Sequence, residues 1–455
     1  MRTTQMLAFV VAWSAIGLAQ GAVKTPPQPD NRFKADVLLV VAHPDDESGV
    51  SAYLAQLLDQ GKKVAAVYMT HGEAGHNNMG RERGISLGAE REMELRHALT
   101  GLGIQNVWFL DGRDTPTQDV LQSLANWHHG TCLEELVRMV RLTRPEVIIT
   151  WLPGFFIGEN HGDHQAAGVL ATEAFDSAGD PAVFPAQLAQ PRHVNETLLE
   201  GLTPWQPQKL YFFSDANDDK QFKDKGPQYP TTGISPAHHA PYWQVALEAF
   251  RFHRTQYNSY IEKFDGLNDQ ELQKLAKQDG WDGPVELIFG KANVPSSITG
   301  DVFEGVIATP IAFVRLAPPA AEQHSGVSIA MGGPWAFYEH FRREHGLMSI
   351  PQAAAPEIAV NTGSTLQWPL ILRNDSKQSV ELSLTMTLPE GWTQPDLSQK
   401  YLLAAGDRFP VQLELAVPAK KSEAAQELVC TAVSSVGTVG TARLRVQVRA
   451  GGLPQ

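Results

Sequence analysis

Cysteine is nearly absent from this 455-residue chain. The two it has, Cys132 and Cys430, stand far apart, which argues against a disulfide framework even in an oxidising compartment. Neither lies in a metal-binding spacing, and both read as buried thiols. Positive charge is also short: 37 Lys and Arg against 50 Asp and Glu leave a formal net charge of −13. That balance argues against nucleic acid or an anionic membrane as the main partner and favours a neutral or cationic ligand, or a metal. Long apolar runs are missing too. The stretch from Met6 to Leu18 follows a basic Arg2, is too short to span a bilayer, and ends in small residues at Gly17-Leu18-Ala19 and Gln20-Gly21-Ala22. Residues 1–22 therefore read as a secretory signal peptide, with an uncleaved anchor as the alternative, and export to the periplasm or the exterior is expected. No lipid-attachment cysteine follows. Residues 23–34, with the proline-rich Lys24 to Pro29, form a leader. A glycine-rich dinucleotide turn is also lacking, since His43-Pro44-Asp45 stands where it belongs, so no nucleotide cofactor is expected.

What the chain does have is bulk and a focused polar cluster. At 43% hydrophobic residues it can bury a large core in two or three domains. The run Val37-Leu38-Leu39-Val40-Val41 suits a buried strand, and it ends in His43-Pro44-Asp45-Asp46-Glu47. In an open parallel sheet, ligands sit outside the carboxyl ends of strands, where these residues stand. Adjacent carboxylates beside a buried strand repel one another and lose hydration, which a divalent cation relieves. His43 and Asp46 supply two ordinary zinc ligands. Glu47 alone reads better as a cap of the helix beginning near Ser48.

Further strands are expected at Val64–Met69, Asn106–Leu110 and Glu146–Trp151, and helices at Ser48–Gln60, Gly88–Leu102 and Leu133–Leu142. This alternation predicts a doubly wound, mostly parallel α/β sheet. The second strand runs into Thr70-His71-Gly72-Glu73-Ala74-Gly75-His76-Asn77-Asn78, the third into Asp111-Gly112-Arg113-Asp114, and the fourth into Gly158-Glu159-Asn160-His161-Gly162-Asp163-His164. A helix starting near Asp163 turns His161 and His164 to one side of its first turn, toward the strand edge.

These motifs, with Arg91 and Glu94, Ala174-Phe175, Ala178-Gly179-Asp180 and His253-Arg254-Thr255-Gln256, resemble the PIG-L (LmbE-like) family of zinc-dependent N-deacetylases from about residue 35 to 315. Gly162 departs from the proline that family often carries. The resemblance implies a Rossmann-like fold, a zinc ion held by His43, Asp46 and His164, Asp45 as general base, His161 as oxyanion stabiliser and Asp163 as the partner of a neighbouring histidine. Fe2+ or Co2+ would suit the same ligands. The chemistry agrees: amide hydrolysis needs an activated water, a polarised carbonyl and a proton for the amine, and Asp45 adjoins a ligand without needing to be one. His71 and His76 read either as substrate contacts or as solvated loop residues, and Arg81, Arg83 and Arg91 either as sugar contacts or as helix-surface partners of nearby acids. His253 is expected to line the site. His128-His129 reads as an exposed polar pair.

Aromatic loops at Thr203-Pro204-Trp205-Gln206-Pro207 and His238-His239-Ala240-Pro241-Tyr242-Trp243 suit either sugar stacking or core closure. The first domain is expected over residues 35–350, a Pro/Ala linker at 351–356, and an all-β sandwich of immunoglobulin-like type over 357–449, with strands at Leu366–Leu372, Val380–Leu388, Val411–Val417 and Ala442–Val448. A spacer or docking role and glycan binding both stay open for it. The expected activity is removal of an N-acyl group, acetyl first, from an amino sugar or glycan. The alternatives are a non-catalytic exported glycan-binding protein with a structural metal, and a zinc amidase on a non-sugar substrate.

Overall fold

A computed structural model describes residues 29–154, 161–189, 201–214, 222–319, 325–350, 355–393 and 395–450. The expected signal peptide, the leader up to residue 28, the Gly158-Glu159-Asn160 part of the second histidine loop and linker residues 351–354 lie outside them.

The first unit runs β1 (Val37–Val41), α1 (Ser51–Asp59), β2 (Val64–Tyr68), α2 (Ile85–Leu102), β3 (Asn106–Phe109), α3 (Val120–Asn126), α4 (His129–Thr143), β4 (Val147–Trp151), α5 (Gly162–Ser177), β5 (Lys209–Phe213), α6 (Tyr242–Phe250), α7 (Arg254–Ile261), α8 (Asp269–Gln278) and β6 (Ile288–Ala292). The sheet order is β3-β2-β1-β4-β5-β6, all parallel except β6, which is antiparallel to β5. Every residue of β1, β2, β4 and β5 is buried, as both faces of a parallel sheet must be when helices cover them. The mixed, mainly parallel α/β core thus follows the alternation of apolar strands and helices.

Strand order reverses between β1 and β4. Adjacent connections leave toward opposite faces there, and a crevice opens at the strands' carboxyl ends. Both polar motifs, residues 43–47 after β1 and 161–164 before and within α5, feed that crevice.

The second unit is β-rich. It comprises β7 (Val327–Met331), α9 (Gly333–Glu344), β8 (Glu357–Asn361), β9 (Thr365–Asn374), β10 (Val380–Thr387), β11 (Tyr401–Leu403), β12 (Arg408–Ala416), β13 (Gln426–Ser434) and β14 (Gly437–Arg449). One sheet is ordered β8-β14-β13-β10-β11 and the other β12-β9-β7, and both contribute to one apolar cluster around Trp368, Leu382, Leu413 and Leu444. Strand pairing crosses the expected boundary at residues 351–356. β7 lies upstream of it yet pairs antiparallel with β9, Leu370 opposite Met331, while Tyr338 and Phe341 of α9 join the core of the first unit. The alternation that marks β9 is absent from the short β7, so its membership was not visible locally.

Candidate active site

Asp46 is the centre of the crevice. It opens a single turn of 3-10 helix after β1, and its Oδ2 accepts three N–H groups: Ala42 N at 2.8 Å, His43 N at 2.9 Å and Trp151 Nε1 at 2.7 Å. Held so, the carboxylate turns Oδ1 toward two imidazoles, His164 Nε2 at 3.2 Å and His43 Nδ1 at 3.6 Å. Burial alone would raise the Asp46 carboxyl, but His164 and His43 beside it hold it well below the usual carboxylate range.

His43 is buried and shared. Its Nε2 lies 3.3 Å from Asp114 Oδ1 and 3.4 Å from Asp163 Oδ2. Burial works against charge on this ring, yet Asp114, Asp163 and Asp46 together hold it well above the ordinary histidine range. A field that favours a proton there also favours a metal cation among the same carboxylates.

His164 sits in the first turn of α5, its ring stacked flat on Trp151 with centroids 4.0 Å apart. His161 caps the same helix, its Nδ1 accepting Asp163 N at 3.2 Å, which places the ring proton of the neutral imidazole on Nε2. Asp163 is fully buried, and its Oδ2 also accepts Thr115 N at 2.8 Å, leaving Oδ1 without a hydrogen bond among the described residues. Ring nitrogens of His43, His161 and His164 lie within 4.8 Å of one another.

The arrangement fits a metal ion. Donor atoms of a tetrahedral zinc site stand roughly 3.3 Å apart, and the 3.2 and 3.6 Å separations about Asp46 Oδ1 bracket that value. The outer groups fit as well: His43 turns its second nitrogen to carboxylates, and Asp46 is oriented by three donors, as ligating residues usually are.

Asp45 adjoins this cluster in a strained conformation, φ 121° and ψ −22°, a region that costs a non-glycine residue on the order of 1–3 kcal/mol. Burial first, and then the neighbouring Asp46, push its carboxyl up to about 7, the range suited to taking and returning a proton near neutrality.

Other expected residues lie elsewhere. Glu47 does not cap a helix: it is buried, and its carboxylate accepts Asp45 N, the Tyr68 hydroxyl and the His253 ring. His253 is fully buried behind that carboxylate and does not line an open site. His71 stacks on Phe109 at 4.4 Å and faces Glu92 at 3.5 Å. Arg91 is buried, and its guanidinium donates to the carbonyls of Gly72 and His76, bracing that loop. His76, Arg81 and Arg83 are exposed. His129 pairs with Glu173 at 2.6 Å. Sequence reasoning gave no role to Asp114, Trp151 or Tyr257. Asp114 follows the third strand in an acidic run, which was a signal; the other two had none.

Fold and cluster define the class: an α/β domain with a His/Asp metal-type site at its topological switch point. Residues 38–175 match the PIG-L family, described as GlcNAc-PI de-N-acetylase. The 1D-myo-inositol 2-acetamido-2-deoxy-alpha-D-glucopyranoside deacetylase of Thermobifida fusca is 28% identical over 257 residues, 48% of this chain and 82% of that protein. The Streptomyces scabiei protein of the same name is 35% identical over 176 residues, 35% of this chain and 54% of its own length, so there the chain spans about half of the relative. Among solved structures, the N,N′-diacetylchitobiose deacetylase of Pyrococcus horikoshii is 22% identical, covering 57% of this chain and 86% of that one, with a TM-score of 0.38.

Proposed function

We propose that this chain is an exported, zinc-dependent N-deacetylase acting on an N-acetylated amino sugar or a glycan that carries one. The observation that supports this most is the division of the Asp46 carboxylate, Oδ2 fixed by three N–H donors and Oδ1 facing His43 and His164, with Asp45 next in sequence but outside that set. His43, Asp46 and His164 would hold the ion, and Fe2+ or Co2+ would suit the same donors. Bound there, a metal would supply Lewis acidity toward the amide carbonyl and would make a water more acidic, to a pKa of about 7. Asp45 is placed to take a proton from the attacking water as the water oxygen bonds to the amide carbon and the carbonyl π pair moves onto its oxygen. The Nε2–H of His161 faces the developing oxyanion, a contact worth roughly 3 kcal/mol in comparable sites. When the C–N bond breaks, the proton held by Asp45 passes to the leaving amine and acetate is released. Asp163 keeps His43 oriented. The names of the deacetylase relatives support a 2-acetamido sugar as the substrate class. The C-terminal unit, by its strand spacing, is an immunoglobulin-like spacer or docking domain.

Acetate release from N-acetylglucosamine, N,N′-diacetylchitobiose and N-acetylglucosaminyl-inositol tests this reading. Release that chelation abolishes and zinc restores is expected. Zinc-loaded protein that releases no acetate from any of these would leave the glycan-binding alternative, for which a buried Asp45 outside the ligand set has no use, or an amidase of a non-sugar substrate.

A further inference from the structure

The segment His253 to Tyr257 follows the Asp45 loop by more than two hundred positions, yet it closes on that loop from several sides. His253 Nε2 lies 2.6 Å from Glu47 Oε1, 206 positions away in the chain. Glu47 Oε2 in turn accepts Asp45 N at 3.1 Å and the Tyr68 hydroxyl at 3.0 Å. Gln256 Nε2 donates to the Pro44 carbonyl at 2.5 Å. Where α7 departs from helical angles, at Tyr257, the phenol faces the Asp45 carboxylate, whose charge pushes it well above the ordinary tyrosine range. The segment is itself anchored: Thr255 N and Oγ1 donate to the Glu94 carboxylate at 2.8 and 2.7 Å, and Asn78 N donates to the Thr255 carbonyl at 2.8 Å. What these contacts enclose is the peptide of Asp45 at φ 121°, a conformation an L residue keeps only when its surroundings enforce it.

We infer that residues 253–257 are a clamp that holds Asp45 in its strained conformation, with His253 and Tyr257 as positioning residues for the general base. The inference rests on the role given to Asp45 above. His253 is fully buried and reaches Asp45 through the Glu47 carboxylate. Its imidazole also faces a buried carboxylate that would otherwise repel Asp45. Glu47 holds the backbone of Asp45, and Tyr257 faces its carboxylate. A merely structural segment would lower the melting temperature and leave turnover per folded molecule unchanged; a clamp sets where the base stands, and small misplacement of a reacting group is costly in rate.

The test uses the full zinc-loaded chain and its variants His253→Gln, Gln256→Leu and Tyr257→Phe, each alone and combined with Asp45→Asn. Amide hydrogen exchange in the peptide covering residues 42–50 is measured beside zinc stoichiometry and beside kcat and KM on N,N′-diacetylchitobiose. Faster exchange in that peptide is expected for His253→Gln and Gln256→Leu, with zinc content and KM unchanged and kcat down by about a hundredfold. Tyr257→Phe should lower kcat with Asp45 present and have no further effect in Asp45→Asn, because contacts that act through one group are not additive. Unchanged exchange in all variants overturns the clamp. So does faster exchange with unaltered kcat, or an equal loss with and without Asp45. Should wild-type protein release no acetate, the proposed function fails while exchange still decides the clamp. If His253→Gln does not fold, Gln256→Leu and the partly exposed Tyr257→Phe decide it.

Discussion

At the scale of single residues, the two oxygens of one carboxylate do different work. Trp151 supplies one of the three donors on Asp46 Oδ2 and also stacks on His164, so it supports two proposed ligands at once. Trp151→Phe keeps an aromatic face, smaller than the indole, and removes the donor. Zinc affinity, read by competition with a chelator, should fall about 10- to 100-fold, as it does when partners of metal ligands are lost; unchanged affinity would show the indole N–H to be irrelevant. Asp45→Asn should do the opposite, retaining zinc by metal analysis while turnover drops roughly 10²- to 10⁴-fold. A metal-free Asp45→Asn protein would make Asp45 a ligand. That His43, Asp45, Asp46, His161 and His164 gather at one strand edge was legible because the proposed chemistry calls for particular residue types at short spacing. Asp114 and the true partners of Glu47 were not, since their work depends on which strand ends meet across the sheet. Glu47 stood in a good capping position, but pairing with His253 inside the core is stronger than a solvated cap.

At the scale of elements, strands buried on both faces announced themselves as largely apolar runs, and β1, β2 and β4 lie where those runs are. β5, Lys209-Leu210-Tyr211-Phe212-Phe213, begins with a lysine and is mostly aromatic, and it escaped the same reading. The antiparallel β6 and the order of strands were beyond local patterns altogether. Alternation marked β9, whose buried and open positions follow period two. Helix α5 carries His164, and its distance from β4 is set by Gly168, where an added Cβ would stand 2.3 Å from the Trp151 carbonyl oxygen. Gly168→Ala must push the helix off the strand. A loss of about 1–3 kcal/mol in unfolding free energy is expected, with a parallel fall in zinc affinity because His164 lies one turn away; a melting curve like wild type would mean that the helix yields freely. The contact between α4 and α5 is pH-dependent. Hydrogen bonding to Glu173 raises His129 above its ordinary value, against the effect of burial. A group raised on folding stabilises fully below its unfolded pKa and loses that contribution as pH rises through the folded value. His129→Gln should therefore melt below wild type near about pH 6 and match it by about pH 9; an equal deficit at both would rule out the charged pair.

At the scale of the whole molecule, the two units are joined by a shared piece of chain. β7 belongs to the second sheet, while Tyr338 and Phe341 of α9, which follows it, sit in the first core, and Trp335 at the start of α9 packs against the second. The end of α9 is tied to α5, since Asp176 takes His345 at 2.7 Å and Lys291 at 2.5 Å. Gln118, just after the loop whose Thr115 and Thr117 hold Asp163 and Gly162, donates to the Ala359 carbonyl of β8 at 2.9 Å. The β-rich unit therefore bears on the segment that supports the second histidine motif. A chain ending at residue 350, which the Pro/Ala segment invites, retains β7 but deprives it of β9 and uncovers Ile329, Met331 and Trp335. An unpaired apolar edge of this kind promotes association. The shortened chain should elute as oligomers or aggregate and melt below the full one, and Ile329→Lys within it should restore solubility without restoring the melting temperature. A monomeric shortened chain with the full chain's melting temperature would show instead that the two units are independent, and that the shared strand and helix are a boundary without consequence for the site.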